Sequence, residues 1–204
     1  NYTTNGINFV DRKTGERVTL PGNVRDAARR VMDVNVALPD GSTMTGRKLA
    51  DNIQWARSYE YNLRQDKKPT GYGGPNWRGD VEAEIARIND LTNHVARTNP
   101  EALQAVQESL TELKLYNQSL MELRVLQGID TPDSIAHIMQ NPDYIFGAPE
   151  VQAAYAAATG DKAVQDAIMG DVGLLRGGST AGQRMDIYDA ALRHTMNSAQ
   201  WTDL

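Results

Sequence analysis

The sequence of 204 residues contains no cysteine and only three histidines. Without a thiol the chain cannot form a disulfide, a thiolate zinc site or a cysteine nucleophile. The histidines (His94, His137 and His194) fall on separate predicted helices, so a histidine-rich metal site is not expected. The sequence also has no P-loop, dinucleotide fingerprint, zincin helix or EF-hand loop. We therefore expect no metal and no cofactor.

Long apolar runs and net positive charge are also missing. No stretch approaches the roughly 20 consecutive apolar residues that a membrane-spanning helix requires, so we expect no membrane span. The formal net charge of −5 argues against the clustered positive charge typical of nucleic-acid binding. Nucleic acid is therefore not an expected partner. Hydrophobic residues make up 40% of the chain, which is enough for a folded core.

Two long helices are predicted over residues 80–127. Apolar residues at spacings of three and four run from Val81 to Val95 and from Leu103 to Leu113, and Leu120 continues the second stripe seven residues on. Asn99-Pro100 ends the first helix and begins the second, and Gly128 ends the second. Helices joined by so short a turn lie antiparallel. The sequence therefore predicts a mainly α protein, a helical bundle built on this antiparallel helix pair.

Residues 1–65 predict a small α+β lead-in. Two β-prone runs flank Gly15, which suits the left-handed position of a hairpin turn, and Pro39-Asp40-Gly41-Ser42 indicates a second hairpin. Asn23 is placed to cap a helix between the hairpins, and a further helix is predicted from about Gly46 to Arg64.

Residues 66–79 predict a linker, because they hold four glycines and two prolines and show no periodicity. The predicted domains are therefore the lead-in (1–65) and a helical bundle domain (80–204). Within the linker, Tyr72 and Trp77 lie among basic residues, which makes them candidate binding residues. Such a combination stacks on single-stranded nucleic acid in some proteins, but more often the aromatic rings pin a loop to its own domain.

Beyond Gly128 the predicted helices are short, with starts marked at Pro132, Pro142 and Pro149. The last predicted helix has a capping-box pattern at Thr180 and Gln183 and continues through Met185, Tyr188 and Met196. On that helix Asp186 and Asp189 share a face with Arg193, which suggests an ordinary ion pair at helical spacing.

The segment 173–180 is the strongest candidate for a functional site. Gly177, Gly178 and Ser179 precede the predicted helix, where free backbone N–H groups and the helix dipole favour an anion. Arg176 beside them carries a planar, permanently charged guanidinium that suits phosphate oxygens. The alternative interpretation of the segment is a plain helix-capping loop.

Gly173, Leu175, Arg176 and Thr180 fit the pattern Gly-x-Leu-Arg-x-x-x-Thr. This pattern resembles the arginine-finger motif of the Rho GTPase-activating domains that bacterial type III secretion systems inject. The resemblance covers residues 173–180 only, and the family's Gln-Trp-Gly-Thr segment has no full counterpart, since Gln200-Trp201-Thr202 lacks the glycine. It implies a helical bundle in which Arg176 is the catalytic finger and Thr180 a supporting hydroxyl residue.

Three functions follow as hypotheses, and the sequence does not decide whether the chain is an enzyme. The first is a protein-interaction domain of a bacterial secreted effector, which acts on another protein. The second is a GTPase-activating protein that uses Arg176 on a small GTPase. The third is a structural or assembly subunit of a virion or secretion apparatus. The first two imply secretion or translocation from a bacterium, with a cytoplasmic location as the alternative.

Overall fold

The computed structural model describes residues 6–11, 14–65, 81–144, 186–192 and 195. Helix accounts for 67% of these residues, which confirms the mainly α prediction. In chain order the elements are β1 (Ile7–Val10), β2 (Arg17–Leu20), α1 (Val24–Met32), β3 (Asn35–Ala37), β4 (Thr43–Thr45), α2 (Gly46–Arg64), α3 (Val81–Thr98), α4 (Pro100–Leu126) and α5 (Pro132–Met139).

The lead-in has the two predicted hairpins. Strands β1 and β2 pair antiparallel with Ile7 opposite Leu20, and β3 and β4 pair in the same way. Gly15 turns the first hairpin at a φ of 72°, the left-handed conformation that favours glycine. Asn23 caps α1, because its side-chain oxygen accepts hydrogen bonds from the N–H groups of the first helical turn.

The predicted helix pair is present as α3 and α4. The side-chain oxygen of Asn99 accepts a hydrogen bond from the N–H of Ala102 at 3.1 Å, so Asn99 caps α4 as its position before proline suggested. At the other end Gly128 has a φ of 71°, and its N–H donates to the carbonyl of Val125. Local capping chemistry therefore sets both ends of α4, the longest of the described helices.

Helix α4 is the element on which the described core is built. It contacts α1, α2, α3, α5 and β1. Its buried side chains join one hydrophobic cluster that also contains Ile7, Val31 and Trp55 of the lead-in. The segment 66–79 lies outside the described residues, and the division into two domains stays a prediction.

The helix predicted to start at Pro142 is wrong over residues 142–144, which form a turn. Asn141 is the physical reason. Its side-chain amide is buried and donates to Ser58 Oγ of α2 at 3.1 Å, while its side-chain oxygen accepts from the N–H of Asp143 at 3.0 Å. The Asn141 side chain therefore ties the turn to α2.

The chain between β2 and α1 runs in close contact with α4. Ser119 Oγ donates to the carbonyl of Pro21 at 2.6 Å, and the N–H of Asn23 donates to Glu112 Oε1 at 2.8 Å. Between these two anchors Gly22 has a φ of 95°, and a Cβ placed there would lie 2.4 Å from the backbone nitrogen of Tyr116. Only glycine allows this approach.

Replacement of Gly22 by alanine is expected to destabilise the fold strongly, because the new methyl group meets helix backbone that cannot move aside. The matched control is Gly41→Ala, which has a similar φ of 83° but nothing within 4 Å of the added Cβ. We expect a loss of about 1 kcal/mol for Gly41→Ala and at least about 2 kcal/mol more for Gly22→Ala. Urea unfolding measures both, and equal losses would contradict the close approach.

Candidate functional site

The residues that the sequence analysis singled out lie outside the described part of the chain. They are Tyr72, Trp77, Arg176, Gly177, Gly178, Ser179 and Thr180. The described stretch that follows them comprises residues 186–192 and 195, and we call it the C-terminal segment. Its contacts with the helical core define how the chain is held just after the predicted loop.

Asp186 caps the helix of the C-terminal segment. Its Oδ1 accepts hydrogen bonds from the N–H groups of Tyr188 at 2.9 Å and Asp189 at 3.4 Å. Its carbonyl accepts the first intrahelical bond, from Ala190. This is the geometry of an N-cap. The prediction of one continuous helix through Met185 and Tyr188 is therefore wrong at Asp186, which is not helical.

Arg47 of α2 clamps the start of this helix. Its Nη2 lies 2.8 Å from Asp186 Oδ1 and 2.7 Å from Asp189 Oδ1, and its Cζ lies 5.5 Å from the ring centre of Tyr188. Hydrogen bonding to Asp186 raises the pKa of the Arg47 guanidinium most; partial burial lowers it, and the bond to Asp189 adds to the rise. The guanidinium therefore remains charged and bridges two carboxylates.

Sequence reasoning missed Arg47 because the partner is 139 residues from Asp186. The predicted partner of the two aspartates was Arg193, whose side chain lies outside the described residues. No short-range pattern marks a pair so far apart in sequence. We call Arg47, Asp186 and Asp189 the Arg47 clamp. Because the three side chains form one network, they stabilise the fold more than an isolated surface ion pair does.

Tyr188 anchors the C-terminal segment in the core. Only 1% of its surface is exposed, and its hydroxyl lies 2.6 Å from Ser109 Oγ of α4. Ser109 Oγ donates its own hydrogen to the carbonyl of Ala27 in α1 at 2.5 Å, so the phenol is the donor to Ser109. Burial raises the pKa of Tyr188 to about 12.

A second hydroxyl contact lies two helical turns further along. The hydroxyl of Tyr116 in α4 bonds to Thr195 Oγ1, and Thr195 Oγ1 donates to the carbonyl of Ala191 at 2.9 Å. Tyr116 is therefore the donor, as Tyr188 is in the first contact. The C-terminal segment is held by a charged clamp at its start and by buried hydroxyl contacts along its length.

The outer face of α1 is a second candidate site, because it carries exposed arginine and methionine side chains of the kind found in protein–protein interfaces. Arg25, Arg29 and Met32 lie at spacings of four and three, so they share one face of the helix, and all are exposed. We call these residues the α1 surface. Beside α1, an open groove of about 340 Å³ is lined by polar side chains, namely Arg30, Gln104, Gln107, Glu108, Thr111 and Glu112.

Among the described residues, no group of three or more His, Asp or Glu side chains is arranged to hold a metal ion. None of the described helices combines the length and apolar character needed to cross a membrane. The chain matches no family model, no curated protein and no solved structure. Evidence about function therefore comes from the residues themselves.

Tyr188→Phe is expected to reduce the free energy of unfolding by about 1 kcal/mol near neutral pH, because the hydrogen bond to Ser109 is lost. As the pH rises from 10.0 to about 12, an unfolded tyrosine ionises while the folded Tyr188 keeps its proton. The free energy of unfolding of the wild-type chain therefore falls across that window. The Phe variant has no hydroxyl at position 188, so it shows no such fall.

The measurement is urea unfolding of both chains at neutral pH and at several values across that window. The difference in unfolding free energy between the two chains should shrink as the pH rises. A difference that stays constant up to about pH 12 would show that Tyr188 is not held as a buried neutral phenol.

Proposed function

We propose that the chain is a protein-interaction domain that acts on a partner protein, as secreted bacterial effectors do. The observation that carries the proposal is the α1 surface (Arg25, Arg29 and Met32). Met32 is 67% exposed, the highest value among the large hydrophobic residues that the structure describes. Arginine and methionine are enriched in protein–protein interfaces, and a flexible methionine adapts to a partner's shape.

The groove beside α1 offers a second polar surface, on a different face of the helix from Met32. Arg30 of α1 and Glu108 of α4 form an ion pair at 2.9 Å, and both side chains are about half exposed. Gln104 donates to Glu108 at 2.9 Å. Interfaces combine an apolar or arginine-rich centre with a polar, solvent-accessible rim. In the proposed interface Met32 supplies the apolar centre, and Arg25 and Arg29 supply charged groups around it.

The second candidate function is GTPase activation through Arg176. It is favoured by the pattern at Gly173, Leu175, Arg176 and Thr180, which resembles an arginine-finger motif. An arginine placed against the transferred phosphoryl group stabilises the charge of the transition state and accelerates hydrolysis by roughly a thousandfold or more. In this proposal the partner is a small GTPase and the chain works after secretion or translocation from a bacterium.

The experiment mixes the purified chain with a panel of Rho-type GTPases and measures both binding and GTP hydrolysis. The interaction proposal expects binding that Met32→Glu weakens at least about tenfold, since a charge is forced into the centre of the interface. The activation proposal expects stimulated hydrolysis that Arg176→Ala abolishes while binding persists. Arg97→Ala, which removes an exposed arginine from α3, is the matched control and should leave both readouts unchanged.

Each outcome separates the hypotheses. Binding without stimulation leaves the interaction domain and removes the arginine finger. Stimulation that Arg176→Ala does not reduce also removes the finger. If no GTPase binds, this partner class is wrong, and light scattering then tests the third hypothesis, because an assembly subunit forms multimers. Unchanged binding by Met32→Glu would contradict the assignment of the α1 surface.

A further inference from the structure

Two pairs of hydroxyl-bearing residues join α4 to the C-terminal segment, and both pairs are separated by 79 residues in the sequence. Ser109 contacts Tyr188, and Tyr116 contacts Thr195. The contact thus advances by seven residues on each element, which is two helical turns or about 10 Å of rise. Because both advance in the same direction, the C-terminal segment runs parallel to α4 with a seven-residue repeat, as in a coiled coil.

The two pairs have opposite orders of size. On α4 the small residue (Ser109) comes first and the large one (Tyr116) second. On the C-terminal segment the large residue (Tyr188) comes first and the small one (Thr195) second. Each large side chain therefore faces a small one, and all four residues are buried, with no more than 5% of their surface exposed.

No other seven-residue register gives this match. If the segment moved one repeat toward the end of α4, Tyr188 would face Tyr116 and Thr195 would face Leu123. Two tyrosines would then compete for space, and the Thr195 hydroxyl would face an apolar side chain. If it moved one repeat the other way, Tyr188 would face Ala102, which gives its hydroxyl no partner. Thr195 would face Ser109, and two small residues would leave a gap.

We propose that Ser109, Tyr116, Tyr188 and Thr195 form a register key, a device that allows the C-terminal segment one axial position on α4. Size order excludes the neighbouring registers, and the hydroxyl contacts satisfy the polar groups only in the native one. Buried polar residues are known to set register in coiled coils in this manner. The register key determines the axial position of the segment, and Arg47 binds Asp186 and Asp189 at its start.

The absence of cysteine makes the register directly measurable. Cysteines introduced at Glu122 of α4 and Leu192 of the C-terminal segment, both exposed, are the chain's only thiols and carry nitroxide labels. Double electron–electron resonance then reports the distance between them. The chain with the native key should give one narrow distance distribution.

The test variant exchanges the sizes on the C-terminal segment by combining Tyr188→Thr with Thr195→Tyr. The new tyrosine at position 195 then fits only against Ser109, which moves the segment by seven residues toward the start of α4. The label at position 192 moves away from the label at position 122, and the distance should lengthen by about 10 Å. An unchanged narrow distance overturns the proposal. So does a broad distribution without the longer maximum, because the segment would then have undocked.

The matched control combines Tyr188→Phe with Thr195→Val, which keeps the size order, and should leave the distance unchanged. If circular dichroism shows that the exchanged variant does not fold, Tyr188→Ala combined with Thr195→Val replaces it, since neither change introduces a clash. Its alanine fits against Ser109 or Tyr116 and its valine fits against Tyr116 or Leu123, so a second, shorter distance should appear beside the native one. A single native distance in this chain overturns the register key.

Discussion

The buried hydroxyl of Ser109 joins three parts of the chain. It donates to the carbonyl of Ala27 in α1 and accepts from the hydroxyl of Tyr188 in the C-terminal segment, while its own backbone belongs to α4. Ser109 is fully buried, so each of these bonds replaces contact with water. The wider constraint is that α4 must fit α1, α2, α3 and the C-terminal segment at once. A small residue at position 109 is what lets α1 and Tyr188 approach α4 from two sides.

Much of the local architecture could be predicted from the sequence because short-range chemistry determines it. Asn99 and Gly128 mark the ends of α4 through capping, and Gly15 marks a turn through its left-handed backbone. The bounds of α2, Gly46–Arg64, agree with the predicted ones. At Asp186 local reasoning failed, because apolar periodicity continued through a residue whose short side chain caps the next turn.

The arrangement of these elements could not be predicted in the same way. Arg47 meets Asp186 across 139 residues, and Ser109 meets Tyr188 across 79, so no local pattern records either contact. The sizes of Ser109 and Tyr188 match only when α4 and the C-terminal segment are packed together, so neither residue predicts the contact from its local sequence. The candidate loop at 173–180, with Arg176, lies outside the described residues, so its role stays a hypothesis from sequence. The α1 surface was missed because single exposed residues carry no motif.

Helix α4 is the element on which the rest of the described structure depends. Native-state hydrogen exchange measures this directly, since it reports the free energy of opening for each backbone amide. We expect amides in the buried middle of α4, around Leu110 and Leu120, to exchange only through global unfolding, while those of residues 190–192 open at lower free energy. Amides of α4 that open at lower free energy than those of α1 or the C-terminal segment would contradict this dependence on α4.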